Sequence, residues 1–397
     1  MGYAVPGVRL GVAQAGIKKP GKDDLLVIEL SEQTQTAAVF TQNAFCAAPV
    51  TVAREHLETN GGRPRYLIVN TGNANAGTGE AGLADARSCC VALGSQVGIA
   101  DNAVLPFSTG VIGETLPIER IELAIPAALD ALQADGWEAA AGAILTTDTR
   151  PKLRTTTFEI DGQQCVITGI TKGAGMICPN LATMLAFIAT DVEIAPPLLD
   201  ELLRGAVMKS FNRITVDGDT STNDAVTLSA TAESGVVIER GSGQADHFLE
   251  ALEHLMLGLA QDIVRDGEGA TKFVEIRVVG GESEAACDQV ARTIAHSPLV
   301  KTALFAADPN WGRILAAIGR AGLEGLDTEA VSIEINGVLI AERGARAASY
   351  TEAMGQAAMS EDQLRVCVSL QRGAAESVLW TTDLSYDYVK INAEYRT

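Results

Sequence analysis

The chain has 397 residues, about 47% of them hydrophobic and 20% charged, with a formal net charge of −20. That balance supports a packed core in two or three domain-sized units and argues against disorder. So acidic a chain repels phosphate backbones, which sets nucleic acid aside as a partner.

No apolar run reaches the roughly 18–20 residues of a membrane span. The first residues, MGYAVPGVRLGVAQAG, lack the charged-then-apolar pattern of a signal peptide. Pro6 stands where a myristoylation site takes Ser or Thr. The seven cysteines are scattered, odd in number and free of any CxxC pair, which reads as reduced thiols of a cytoplasmic protein.

Along the chain, Leu25–Leu30, Ala37–Phe40 and Tyr66–Val69 are predicted strands. Asn70–Gly79 is too rich in Gly and Asn for regular structure and reads as a loop into a helix, Glu80–Val97. Ser108–Glu114 reads as a turn around Gly110 and Gly113. Ile118–Leu132 is helical, with Pro126 expected to kink or break it. Thr155–Ile160 and Gln164–Thr168 flank Asp161-Gly162, a hairpin signal.

The apolar run Leu181–Ala189 suits a buried strand, and Pro196–Met208 a helix opened by its prolines. Helices His247–Asp266 and Ser283–Ala295 and strands Phe273–Val279, Val331–Ile335 and Leu364–Ser369 follow. Strands interleaved with helices make the class α/β or α+β, with helices packed on mixed sheets.

Common signatures are absent: there is no GxxxxGK[ST], HExxH or GxSxG. Gly77-Thr-Gly-Glu-Ala-Gly82 matches GxGxxG but begins too far beyond the strand ending at Val69 for a dinucleotide turn. His247 and His254 share a helix face and read as a packing or surface pair, so no metal site is expected. Asp217-Gly-Asp219 resembles a calcium loop, yet Thr222 and Leu228 occupy the positions that need Gly and Glu.

Residues 169–191 carry the chemistry. Lys172 lies among glycines whose N–H groups can converge on an anion. The Pro179-Asn180 turn precedes a strand with Thr183 near its start. By residue type alone Thr183 is a buried strand threonine; Lys172 among its glycines and a turn placed to strain the Ala182–Thr183 bond argue for more.

Lys172-Gly-Ala-Gly-Met176 with Pro179-Asn-Leu-Ala-Thr-Met-Leu185 resembles the cleavage motif of the ornithine acetyltransferase family, the bifunctional glutamate N-acetyltransferases/ornithine acetyltransferases of arginine biosynthesis. Asn70–Gly77, Ser108–Gly113, Thr146–Thr149, Ser210–Asp224, Asp266–Thr271, Asp308–Arg313 and Tyr388–Thr397 resemble further family motifs, in family order. The resemblance spans essentially the whole chain. Thr171, Cys178 and Leu181 depart from common family residues without touching a functional role.

The resemblance implies an α/β sandwich of N-terminal-nucleophile type, mixed sheets covered by helices. It implies self-cleavage between Ala182 and Thr183 into an α chain (1–182) and a β chain (183–397), with Thr183 the nucleophile. Thr109 and Gly110 match the oxyanion pair. Thr146 (taken over Thr147 and Thr149 by its spacing from Lys172), Lys172, Thr183, Glu268, Asn392 and Thr397 match substrate-binding positions. Lys172 suits an α-carboxylate and Glu268 a side-chain ammonium.

The implied substrates are N-acetylornithine, ornithine, glutamate and N-acetylglutamate, with acetyl-CoA as co-substrate and no bound cofactor. The implied assembly is a heterotetramer of two α and two β chains. A self-cleaving N-terminal-nucleophile aminopeptidase or amidase is the alternative reading, and an uncleaved binding or scaffolding protein a third.

Overall fold

The structure is a computed structural model that describes residues 3–178 and 184–395. Two compact units emerge, Met1–Asn212 with Asp219–Ile263, and Arg213–Gly218 with Val264–Thr397.

The first unit contains, in chain order, β1 (Val8–Ala13), β2 (Leu25–Leu30), β3 (Gln35–Phe40), α1 (Ala48–Thr59), β4 (Tyr66–Asn73), α2 (Gly79–Val97), β5 (Val104–Val111), α3 (Ile118–Asp130), α4 (Trp137–Ala143), β6 (Lys152–Ile160), β7 (Gln163–Lys172), β8 (Leu185–Thr190), β9 (Glu193–Ile194), α5 (Pro196–Lys209), β10 (Ala225–Ala230), β11 (Val237–Ile238) and α6 (Gly243–Arg265). The strands form one sheet in the order β1-β2-β4-β5 and a second in the order β3-β10-β8-β7-β6.

The sheets pack face to face because alternate residues on both are apolar. Leu26, Ile28, Val69 and Phe107 from one sheet share a buried cluster with Ile170, Leu185 and Phe187 from the other. Phe107 and Phe187 meet edge to face, 5.1 Å between ring centroids. Burying each such side chain contributes about 1.5–3 kcal/mol. The opposite face of the first sheet, with Leu25, Val27 and Ile68, packs under residues of α1, α2 and α3. Burial on both sides explains why β2 reads as a continuous apolar run rather than an alternation.

The second unit contains β12 (Phe273–Gly281), α7 (Glu284–Ala295), α8 (Pro298–Phe305), α9 (Trp311–Gly319), β13 (Ser332–Ile335), β14 (Val338–Glu342), β15 (Ala345–Arg346), α10 (Glu352–Met359), β16 (Gln363–Ser369), β17 (Ala375–Thr382) and α11 (Tyr386–Ala393). Its sheet runs β15-β14-β13-β16-β12-β17. Val274, Ile276 and Val278 of β12 pack against Val290, Ala291 and Ile294 of α7 in one core. The fold is α/β, as expected.

Four local expectations are corrected. The stretch from Asn70 does not leave the sheet at once: β4 continues to Asn73, and Ser108–Val111, read as a turn, is the end of β5. Parallel pairing of these two segments overrides their turn-like composition. Pro126 does not break α3. It lies on the exposed side, where water can serve the carbonyl freed by its missing N–H, while buried Ile121, Ala124, Ile125 and Ala128 hold the other side. The apolar run around Thr183 pairs as a strand from Leu185. The Asp161-Gly162 hairpin is as expected, both residues having positive φ (52° and 81°) between β6 and β7.

Candidate active site

Thr109 and Gly110, expected as the oxyanion pair, sit where β5 ends beside β4. Parallel pairing matches Thr71 with Thr109 and Gly72 with Gly110, then slips at Asn73. Gly110 has φ +137°, and a Cβ there would lie 2.2 Å from the Gly72 carbonyl carbon. Only glycine allows that approach.

The Asn-rich motif before it is the scaffold. The Ser108 hydroxyl bonds the Asn70 side-chain oxygen, and Asn70 Nδ2 donates to the Asn73 carbonyl at 2.8 Å. Asn73 Nδ2 donates to the Glu114 and Thr115 carbonyls. Asn223, just before β10, donates to the Ala74 carbonyl at 2.6 Å and the Ser108 carbonyl at 2.9 Å, tying the second sheet to the residue before Thr109.

Lys172 closes β7. Its buried Nζ donates to Thr109 Oγ1 at 3.1 Å. An ammonium only donates, so the Thr109 oxygen accepts here and its own hydrogen stays available for another acceptor, such as an oxyanion.

Asp148 organises the neighbourhood. Its Oδ1 accepts from Lys152 Nζ at 2.6 Å and from the Gly173 N–H at 2.7 Å, and its Oδ2 accepts from the Thr146 N–H at 3.0 Å. Burial would raise its pKa, but the charges of Lys172 and Lys152 and these hydrogen bonds outweigh burial and hold the carboxyl well below the usual range.

Asp224 is the opposite case. It is buried, and its Oδ2 has no hydrogen-bond partner among the described residues. Burial pushes its pKa well above the usual range, while the Ser221 hydroxyl and the Lys172 charge pull the other way.

In the second unit Asn392, on α11, donates from Nδ2 to Glu268 Oε2 at 2.7 Å. Glu268 is buried rather than a solvated turn residue. The turn that carries it is held on both sides. Asp383 accepts from the N–H groups of Thr271 (2.8 Å) and Lys272 (2.9 Å), and Ser385, which caps α11, donates to the Gly269 carbonyl at 2.6 Å. Beneath, Lys301 donates to the Thr381 and Thr382 hydroxyls and the Thr382 carbonyl, and burial pushes its pKa down to about 8.

The structure thus brings together Thr109, Gly110, Lys172 and, through Asp148, Thr146 in the first unit. It brings together Glu268 and Asn392 in the second. Ala182, Thr183 and Thr397 lie outside the described residues. Asp148, Lys152, Asn223 and Asp224 were not singled out from the sequence. The motifs Thr146–Thr149 and Ser210–Asp224 hold three of them, but their composition reads equally well as turn residues bonding their own backbone.

Among the described residues no helix is long and apolar enough to cross a membrane. A model of the ArgJ family matches residues 9–397. The chain is 58% identical over 394 residues to the arginine biosynthesis bifunctional protein ArgJ of Methylococcus capsulatus, covering 99% of this chain and 96% of that protein. With the protein of the same description from Pseudomonas syringae pv. tomato it is 52% identical over 397 residues, 100% of this chain and 97% of the relative. The crystal structure of the arginine biosynthesis bifunctional protein from Bacillus halodurans superposes with a TM-score of 0.51 at 39% identity, over 53% of this chain and 99% of that one. Matched over nearly its whole length by the family and its relatives, this chain belongs to the ArgJ family.

Proposed function

We propose that this enzyme of arginine biosynthesis cuts itself between Ala182 and Thr183 and then transfers acetyl from N2-acetyl-L-ornithine to L-glutamate through an acetyl-Thr183 intermediate. We propose further that it takes acetyl from acetyl-CoA to make N-acetylglutamate. The observation that carries the reading is the Lys172–Thr109 hydrogen bond. It sets a cation beside a hydroxyl with a hydrogen to give, at the end of the strand that pairs with β8, and β8 begins two residues after Thr183.

In the first step Thr183 Oγ attacks the Ala182 carbonyl, the amide nitrogen leaves protonated, and water hydrolyses the resulting ester. The free α-amino group, with a reference pKa of about 8, then serves as base for its own hydroxyl. In the second step Oγ takes acetyl from N-acetylornithine, the amine leaves, and glutamate collects the acetyl group. Thr109 and Gly110 donate to the tetrahedral oxyanion, an interaction of about 3–4 kcal/mol per donor in such sites. Lys172 binds the α-carboxylate, Glu268 the side-chain ammonium, Thr146 is a further substrate-binding residue, and Asn392 and Thr397 complete the pocket.

The sheet topology says how the products of a cut would stay together, and a relative's length supports the cut. The second sheet draws β3, β6 and β7 from before residue 182 and β8 and β10 from after it, so the products share one hydrogen-bonded sheet and stay together. The Bacillus halodurans chain corresponds to 53% of this one, close to the share of residues 183–397. The proposed mature form is a cytoplasmic heterotetramer of two α and two β chains, testable by light scattering.

Denaturing mass spectrometry of the protein made in cells tests the cut. Two fragments are expected from the wild type and one uncut, inactive chain from Thr183→Ala, whereas a wild-type chain of 41.5 kDa would sink the self-cleavage. Ornithine release that is equal with and without glutamate would show a hydrolase instead. N-acetylglutamate formed from acetyl-CoA and glutamate without acetylornithine establishes the second activity.

A further inference from the structure

We infer that Asn223 is the positioning residue of the proposed oxyanion pair, its side-chain amide bracketing Thr109 and Gly110 and setting the direction in which they donate; the inference rests on the acetyl-transfer reading above. β5 is the last strand of the first sheet, paired with β4 and, among the described residues, with no strand beyond it. The ladder between β4 and β5 slips at Asn73, beside Gly72 and Gly110. Regular pairing therefore gives out where the proposed donors lie.

Asn223 makes up for this from the second sheet. Its Nδ2 carries two hydrogens and uses both, one on the Ser108 carbonyl at 2.9 Å and one on the Ala74 carbonyl at 2.6 Å. Ala74 in turn donates its N–H to the Val111 carbonyl at 2.9 Å. The strand is thus anchored at Ser108, immediately before the pair, and at Val111, immediately after it. The first anchor acts on direction. The Ser108 carbonyl and the Thr109 N–H belong to one planar peptide group, so holding the oxygen fixes the plane from which Thr109 projects.

Asn223 is itself held. It is buried, its Oδ1 accepts from the Thr222 hydroxyl at 2.7 Å, and its N–H donates to Ser221 Oγ at 3.2 Å. The Ala47 N–H donates to the Thr222 carbonyl and the Thr41 N–H to the Asp224 carbonyl, both at 2.9 Å. The amide is in place before substrate arrives, as stabilisation by preorganised donors requires. It is also neutral, so removing it strands no charge.

The test uses the full-length protein with Asn223→Ala and the milder Asn223→Ser. Thr36→Val is the control. It removes a buried hydrogen bond of the same sheet, from Thr36 to Ser229 at 2.9 Å, toward the other end of β10. Melting temperature, the fraction of chains cut and steady-state transfer from N-acetylornithine at saturating glutamate are measured, with kcat counted per cut chain. Asn223→Ala should lower kcat by roughly 10- to 100-fold and leave KM for N-acetylornithine within about threefold of wild type. Both half-reactions pass through an oxyanion, so both slow alike while the bound substrate is untouched. Asn223→Ser should fall between, its hydroxyl serving one carbonyl. Thr36→Val should melt lower and keep kcat within about twofold of wild type.

A loss in kcat without a loss in KM, absent from the control, is a result that a merely structural hydrogen bond cannot give. A kcat within about threefold of wild type for Asn223→Ala overturns the proposal, as does a fall in kcat that Thr36→Val shares, or a KM raised as far as kcat falls. Failure of both Asn223 variants to fold, or a folded Asn223→Ala chain left wholly uncut, overturns it too, since Asn223 then acts ahead of transfer. A wild type that transfers no acetyl refutes the acetyl-transfer reading itself, a separate result.

Discussion

Gly110→Ala is the sharpest perturbation of β5, the strand that carries the proposed oxyanion pair. The added Cβ lies 2.2 Å from the Gly72 carbonyl carbon, 2.5 Å from the Asn73 nitrogen and 2.6 Å from the Gly72 oxygen. All three atoms belong to the backbone of the paired strand, so no side chain can rotate away, and β4 and β5 must separate. Overpacking of this kind costs about 1–3 kcal/mol. The backbone at φ +137° adds about 1–2 kcal/mol for a residue with a Cβ.

The sum, about 2–5 kcal/mol, corresponds to a fall in melting temperature of roughly 10 °C for a unit of this size. Displacing the end of β5 would also misdirect the proposed oxyanion donors, worth about 100- to 1,000-fold in kcat. Gly77→Ala is the control. It too has positive φ (+68°), but its Cβ meets only Ile112 Cγ2 at 3.8 Å, an ordinary contact. Urea unfolding and acetyl transfer from N-acetylornithine to glutamate are measured on both. A Gly110→Ala protein as stable as Gly77→Ala, with kcat within about twofold of wild type, would refute the reasoning.

Two further outcomes follow from the buried charges. Lys172→Met should lower kcat/KM for N-acetylornithine by about 100-fold, mainly through KM, because it removes the proposed partner of the substrate carboxylate; an unchanged KM in steady-state assays would remove Lys172 from the binding site. Asp224 holds its proton more tightly folded than unfolded, so its contribution is full below the usual carboxylate pKa and is lost as pH rises toward the raised value. Across that window the wild type loses about 1.4 kcal/mol per pH unit from this group. Asp224→Asn does not titrate there, so its stability relative to wild type should climb with pH, and parallel stability–pH curves for the two proteins would count against the raised pKa.

By itself the sequence determined the α/β class, most of the long elements and the family. The run LLVIEL marks a strand, the signal at Asp161-Gly162 marks a hairpin, and the motifs in family order point to Lys172, Thr109, Gly110, Glu268 and Asn392. These features are local, set by side-chain periodicity and by backbone freedom at a few residues.

Only the tertiary structure decided what those residues touch. Asn70–Asn73 and Ser108–Val111 look like loops because their composition favours turns, and they become strands because each finds the other across a parallel pair. Glu268 reads as a solvated turn until folding buries it and Asn392, more than a hundred residues later, bonds it. Asp148 and Asp224 are both carboxylates by sequence. Burial is outweighed by two lysines for one, whose pKa falls, and pushes the other's up where Oδ2 has no hydrogen-bond partner among the described residues. A pKa depends on neighbours brought together by folding, and no local pattern encodes them.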